Sequence, residues 1–154
     1  AVSKPKGRNK PQMVTTEVTE GEFKGWHTWP EEPFEYDTAG PFYMRTDEKG
    51  PVAAFRAQRK HMNAGGVVHG GCLMTFADYA LFAIGHQGME GVYGLTVAFT
   101  AEFLDGAREG ELIEARGDLL RQGRSISFVR GIITADGRPV LNFSGTIKVK
   151  RPKP

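Results

Sequence analysis

One cysteine in 154 residues, no acidic residue near either end and no apolar run of bilayer length are the absences that narrow this chain first. Cys72 alone cannot form an internal disulfide, which fits a reducing, cytoplasmic setting. The apolar stretches fall short of the roughly 20 residues a membrane helix needs, and the basic N-terminus has no apolar segment behind it of the kind a secretory signal carries. His27, His61 and His86 have no mutual spacing suited to a metal, and four scattered histidines with one cysteine make no zinc motif. No metal is therefore expected. Missing too are a GxSxG nucleophile elbow, a phosphate-cradling GxxxxGK and a dinucleotide-binding GxGxxG.

What is present describes one globular domain, with 40% apolar and 25% charged residues. The net charge of +2 is unevenly placed. Lys4, Lys6, Arg8 and Lys10 sit at one end, and Lys148, Lys150, Arg151 and Lys153 at the other. The rest holds 12 of the 20 basic residues against all 18 acidic ones, a charge of −6. The basic character belongs to the tails, so no specific nucleic-acid partner is expected; polyanions would be attracted only non-specifically. Residues 1–13 read as a disordered basic tail and 151–154 as a second one. Residues 14–50 carry Trp26, Trp29, Phe34, Tyr36, Phe42 and Tyr43, too many rings for a free linker, while Pro30, Pro33 and Pro41 prevent a long helix. They read as an N-terminal extension packed on a domain over 51–150, its rings either covering a sheet edge or lining a pocket.

The domain is organised around His61 to Gly88. A polar, glycine-rich turn runs there into the one long apolar segment, Gly70 to Gln87, whose length predicts a buried helix of about five turns ended by Gly88. Asp78 breaks its apolar pattern, and a buried carboxylate is costly unless it is paired or has a task. At 100° per residue, Gly71, Met74, Thr75, Leu81 and Phe82 share its face. A bond to Thr75 or to a neighbouring loop is the simpler account of Asp78. The preceding turn suggests more. Gly70 and Gly71 put uncovered N–H groups at a helix N-terminus, suited to a developing oxyanion, and Asn63 adds an amide donor. Eight residues separate Gly70 from Asp78, about 12 Å along the axis, too far for both to touch one carbonyl. If both act on one substrate, they come from two chains across a two-fold axis.

Strands are expected over Pro51–Lys60, Val92–Leu104, Glu111–Leu120, Ser125–Thr134 and Val140–Val149, pairing antiparallel through short connections. Alternation puts Val97, Phe99, Ala101 and Phe103 on one face of the second, and Thr96, Ala98, Thr100 and Glu102 on the other. Gln122-Gly123 and Asp136-Gly137 read as hairpin turns needing positive φ. The sum is an α+β fold, an antiparallel sheet wrapped around one long central helix at about 70–87.

Asn63, Gly66, His69-Gly70-Gly71 and Asp78 at this spacing resemble the signature of the hotdog-fold acyl-CoA thioesterases, in particular their phenylacetate-pathway (PaaI-like) branch. Gly94 to Val97 and Gln122 to Arg124 extend the likeness, which spans Ala39 to Val149. The resemblance implies the hotdog fold, assembly as a homodimer or dimer of dimers, and hydrolysis of an acyl- or aryl-CoA thioester to free acid and coenzyme A. Coenzyme A is then part of the substrate, and no separate cofactor is implied. Gly70 and the Asn63 amide would polarise the carbonyl. Asp78 of the partner chain would act as general base or as nucleophile, with Thr96 orienting the water. His69 completes the catalytic candidates, although its place directly before the helix suits a role in holding the turn. Gly71, Met74, Thr75 and Phe82 would line the substrate, and Arg121 and Arg124 would meet coenzyme A phosphates, with Arg59, Lys60 and Arg108 behind them. Cys72 reads as packing rather than as a nucleophile. The competing readings are a hotdog dehydratase or hydratase on 3-hydroxyacyl thioesters, for which only His69 offers a base, and a non-catalytic acyl-CoA sensor.

Overall fold

Eight strands and one long helix are built from residues 14–85 and 93–150, the parts of the chain that the computed structural model describes. The two basic tails, His86, the expected helix stop at Gly88 and Met89 lie outside the described residues. The strands are β1 (Thr16–Glu17), β2 (His27–Thr28), β3 (Tyr43–Asp47), β4 (Gly50–Arg56), β5 (Tyr93–Phe103), β6 (Leu112–Gln122), β7 (Ile126–Ala135) and β8 (Arg138–Lys150), with helix α1 (Gly70–Gly85) between β4 and β5. They form one antiparallel sheet in the order β1-β2-β3-β4-β6-β7-β8-β5. The chain leaves β4, runs α1 across the inner face of the sheet and returns as β5 at the far edge.

The core follows from alternation. On β7 the inward Val129, Ile133 and Ala135 are buried, while the outward Phe128, Arg130 and Ile132 are exposed. β8 repeats this with Leu141, Phe143 and Ile147. Against this face α1 buries Leu73, Phe76, Ala77, Tyr79, Ala80, Leu81, Ala83 and Ile84. Each fully buried large side chain here contributes about 1.5–3 kcal/mol. The Asp136-Gly137 hairpin is as expected: φ is 46° and 85° at its two central residues, which a tight two-residue turn requires. Gly123 is different. It lies outside the left-handed region, and a side chain there would strike the Ile126 carbonyl oxygen at 2.7 Å; Gly123 N–H donates to that same oxygen in a longer connection.

The N-terminal extension is more than a cover. It supplies β1, β2 and β3, so the sheet has three strands that alternation did not reveal. β3 is tied to β4 by a short hairpin, in which Asp47 Oδ1 accepts the Lys49 N–H at 2.9 Å. Trp29 and Phe42 join the main core, where the Phe42 ring lies 5.0–5.4 Å from those of Phe55, Phe76 and Tyr79. On the opposite face of β4, Phe23 and Trp26 bury Val52 and Ala54. One helical turn, Phe34–Ala39, packs directly against α1.

On the strand that faces Asp78, β5, alternation is broken. The ladder of β5 with β8 shifts between Thr96 and Ala98, leaving Val97 as the extra residue of a β-bulge. Thr96 pairs with the inward Ile147, and Phe99 with the inward Gly145. Thr96 therefore faces the helix together with Phe99 and Ala101, whereas strict alternation set it on the opposite side from them.

Candidate active site

The turn before α1 is built around Asn63. Its Oδ1 accepts the N–H groups of Gly65 (2.9 Å) and Val67 (3.2 Å). Its main chain pairs with Val67 and Gly66. Fixing the oxygen in this way fixes the amide orientation, so Nδ2 is the end left as donor, without a partner among the described residues. His61 ties the same turn to the extension. It is buried, its Nδ1 accepts the Gln58 N–H at 2.9 Å, and its Nε2–H therefore donates to the Ala39 carbonyl at 2.7 Å. Burial holds this imidazole below its ordinary pKa, in the neutral form.

His69 caps the helix. Its Nδ1 accepts the Gly71 N–H at 2.9 Å, and its carbonyl accepts Cys72 and Leu73 N–H. Of the first helical donors, the Gly70 N–H alone has no partner among the described residues. It points out of the helix end beside the exposed ring of Phe103. A side chain at position 70 would meet that ring at 3.1 Å, and one at 71 would meet the His69 imidazole at 3.0 Å. A side chain at either position would therefore have to displace the Phe103 ring or the capping imidazole by a few tenths of an ångström. Cys72 sits one residue further on, and burial pushes its thiol up to about 11, so it is not a thiolate at neutral pH.

Along α1 one row stays uncovered by the chain itself: Gly71 exposed, then Thr75, Asp78 and Phe82 half-buried. Thr75 donates back to the Gly71 carbonyl at 2.9 Å and is not the partner of Asp78. That partner is Thr96, whose hydroxyl donates to Asp78 Oδ1 at 2.6 Å. The bulge in β5 makes this contact possible by turning Thr96 inward. Phe82 lies over Gly94 at the start of β5, and Met74 packs at the rim of the core. Leu81 is fully buried over Gly145 and does not share the open face.

The structure thus sets Asp78, Thr75 and Phe82 on one half-buried side of α1, with Thr96 bonded to Asp78, and Asn63, His69 and Gly70 in another place, at the helix N-terminus. Arg121 and Arg124 join neither. Arg121 stands opposite Phe128 in the outward row and Arg124 lies in the β6–β7 connection, both exposed.

A residue that the sequence did not single out stands on the extension's turn against α1. Glu35, on the turn Phe34–Ala39, is half-buried, and its carboxyl is pushed up to about 8, first by burial and then by the charges of Glu32 and Asp78. In the sequence it is one of several acids among prolines and aromatics, and only the packing of that turn on α1 distinguishes it.

Comparison with known proteins agrees with this geometry. The sequence pattern described as the thioesterase superfamily matches residues 65–141. A Pseudomonas aeruginosa protein provisionally named esterase PA0474 is 32% identical over 111 residues, covering 71% of this chain and 83% of its own. The fold is that of the Escherichia coli PaaI protein from the phenylacetic acid degradation operon, with a TM-score of 0.67, 22% identity, and 80% and 88% of the two chains covered. It is also that of a hypothetical thioesterase of Streptococcus pneumoniae solved with coenzyme A, with a TM-score of 0.60, 20% identity, and 73% and 91% covered. No helix among the described residues is long and apolar enough to cross a membrane. With its antiparallel sheet wrapped around one long helix, the chain belongs to the thioesterase superfamily and has the hotdog fold.

Proposed function

We propose that the protein is an acyl-CoA thioesterase whose site is completed by a second copy of the chain. The observation that carries this reading is the Asp78 carboxylate, held by Thr96 at 2.6 Å on the one uncovered row of α1. The free Gly70 N–H and the Asn63 amide stand about two turns away at the same helix's N-terminus. Two such helices, antiparallel across a two-fold axis, bring the acid of one chain to the donors of the other. Support for that assembly comes from β5. It ends the sheet with one side of its backbone unpaired among the described residues, and carries exposed Leu95, Val97 and Phe103.

The chemistry needs few parts. The Gly70 N–H and Asn63 Nδ2 donate to the thioester oxygen and stabilise it as negative charge develops. Asp78 either takes the proton of a water that attacks the carbonyl, with Thr96 fixing the carboxylate, or attacks the carbonyl itself to give a mixed anhydride that water then opens. The carbon–sulfur bond breaks and coenzyme A leaves as a thiolate stable enough to need little help. Exposed Arg121 and Arg124 are the candidates to meet its phosphates.

Thiol release measured over a panel of acyl- and aryl-CoAs tests the proposal. Wild-type protein releases thiol and Asp78→Asn does not. Mixing Asn63→Ala chains with Asp78→Ala chains restores part of the activity, since each hybrid retains one intact site. Wild-type turnover in Asp78→Asn would end the proposal. Binding without thiol release would favour a sensor, and water addition or loss on a 3-hydroxyacyl thioester a hydratase. That last reading is weakened by His69, whose Nδ1 is engaged by the Gly71 N–H.

A further inference from the structure

We propose that β5 pairs with β5 of a second copy in one register, Thr100 opposite itself, so that the Phe103 ring of each chain stands against the Thr96–Asp78 pair of the other as an apolar wall of the site. The inference rests on the shared-site reading above and fixes where its two halves meet.

Helix α1 and β5 run side by side in opposite directions, tied at two points. At one, the Phe103 ring lies against Gly70: a side chain built there would meet its Cε1 at 3.1 Å and its Cζ at 3.3 Å. At the other, the Thr96 hydroxyl donates to Asp78 at 2.6 Å. The two halves of the proposed site are thus marked on β5 as well, the donor end by Phe103 and the acid by Thr96. A two-fold that joins the bare edges and brings Asp78 of one copy to Gly70 of the other therefore sets Thr96 of one against Phe103 of the other.

The edge accepts that register. Phe103 stands opposite Leu141, and the Leu104 N–H donates to the Val140 carbonyl at 2.9 Å. Phe103, and with it Ala101 and Phe99, therefore turns its own N–H and C=O away from β8, toward the bare side. With Thr100 opposite itself, Phe99 exchanges both bonds with Ala101 of the second copy, and Ala98 stands opposite Glu102. At the next step the bulge sets two residues, Thr96 and Val97, opposite the single Phe103. Every pair then shares a face: Phe99 with Ala101 and Thr96 with Phe103 toward the helices, Ala98 with Glu102 away from them. No acid faces an acid. One step further, exposed Leu104 meets exposed Leu95, so the register brings Leu95, Val97, Phe103 and Leu104 into one contact.

Opposed residues on one face have Cβ atoms about 5 Å apart. The Phe103 ring then touches its own Gly70 on one side and Thr96 and Asp78 of the second copy on the other. A thioester whose oxygen lies on the Gly70 N–H and whose carbon faces that Asp78 crosses the ring. The ring keeps water from the donor, which strengthens its hold on the oxygen, and packs on the apolar atoms beside the carbonyl.

Cysteine cross-linking of the full-length protein in a Cys72→Ala background tests the register. Self-opposed residues of this kind have Cα atoms about 4.5 Å apart, within disulfide reach, so mild oxidation links Thr100→Cys chains in pairs. Ala98→Cys and Glu102→Cys each stay unlinked alone and link when co-expressed. Linking of either alone in preference to Thr100→Cys, or no link in any of them, overturns the register. For the wall, Phe103→Ala raises KM for acyl-CoA about tenfold while the Thr100→Cys link still forms, and Phe103→Leu recovers part of the loss. An unchanged KM, or one raised only where the link no longer forms, overturns the wall. Linked Thr100→Cys chains with no thiol release from any acyl-CoA keep the register and refute the thioesterase reading. Thiol release that depends on Asp78, from chains that do not link, does the reverse.

Discussion

At the β1–β3 end of the sheet, β4 is buried on both faces, by Phe42 and Phe76 on the helix side and by Phe23 and Trp26 on the other. At the opposite end β5 closes nothing: Leu95, Val97 and Phe103 are 45%, 55% and 56% exposed. A protein that covers one edge with more than 30 residues of extra chain and leaves the other bare separates two tasks. The covered edge holds the fold. The bare edge, beside Thr96 and Asp78, is where the proposed second copy would pair and complete the proposed site.

Substitutions at the two ends should therefore fail differently. The largest effect belongs to Asp78 itself: Asp78→Asn lowers thiol-release turnover by about 10²–10⁴, while its thermal midpoint stays near wild type. At the covered edge Phe42→Ala costs about 3–5 kcal/mol in denaturant unfolding, and the protein that remains folded keeps wild-type kcat. If that variant instead lost turnover while stable, the division between the edges would not hold. At the bare edge, Leu95→Lys with Val97→Lys shifts the sedimenting species toward a single chain and lowers turnover by roughly tenfold or more, with little change in the unfolding of that chain.

Glu35 sharpens the comparison because it belongs to the covered side, on the turn packed against α1. Its carboxyl is raised from an ordinary 4.5 to about 8 in the fold. The unfolded chain therefore releases this proton first, and stability falls as pH rises from about 4.5 to about 8, then levels off. Glu35→Gln removes that loss, so it should stabilise the protein by about 1–3 kcal/mol at pH 9, after allowance for partial exposure, and by much less at pH 4. Thermal melts at the two pH values measure the difference. The smallest effect is expected at Glu22, whose exposed pair with Arg56 bridges the extension to β4: Glu22→Ala should change stability by less than about 1 kcal/mol.

Much of this architecture is legible in the sequence where one physical rule dominates. Helix α1 shows as an unbroken apolar segment, β6 as Ile113, Ala115 and Gly117 in alternation, and the last hairpin as Asp136-Gly137. The rest depends on tertiary contacts. β1 and β2 are two residues each, too short to carry a period, and β3 has only Met44 buried among its five. Within the candidate site, Asn63, Gly70 and Asp78 stand out through unusual residue types in an unusual place. His69, directly before the helix, is legible as a turn-holding residue, whereas Glu35 and the inward turn of Thr96 are not. An acid among prolines and a threonine in a β-rich run are each ordinary until their neighbours are known.

The bulge at Val97 makes the bond between Thr96 and Asp78 a matter of parity. In a pleated ladder a residue's side is settled by whether an odd or even count separates it from its fixed neighbours. Phe99, Ala101 and the long pairing with β8 anchor the downstream count. Deleting Val97 would leave a regular ladder with Thr96 still opposite Ile147, whereas flattening the bulge with every residue kept would put Val97 there, rotate Thr96 to the far side and leave the carboxylate on α1 without its hydroxyl. The extra residue is thus tolerated only as a bulge: paired into the ladder it would cost the carboxylate its partner, although the strand would remain a strand.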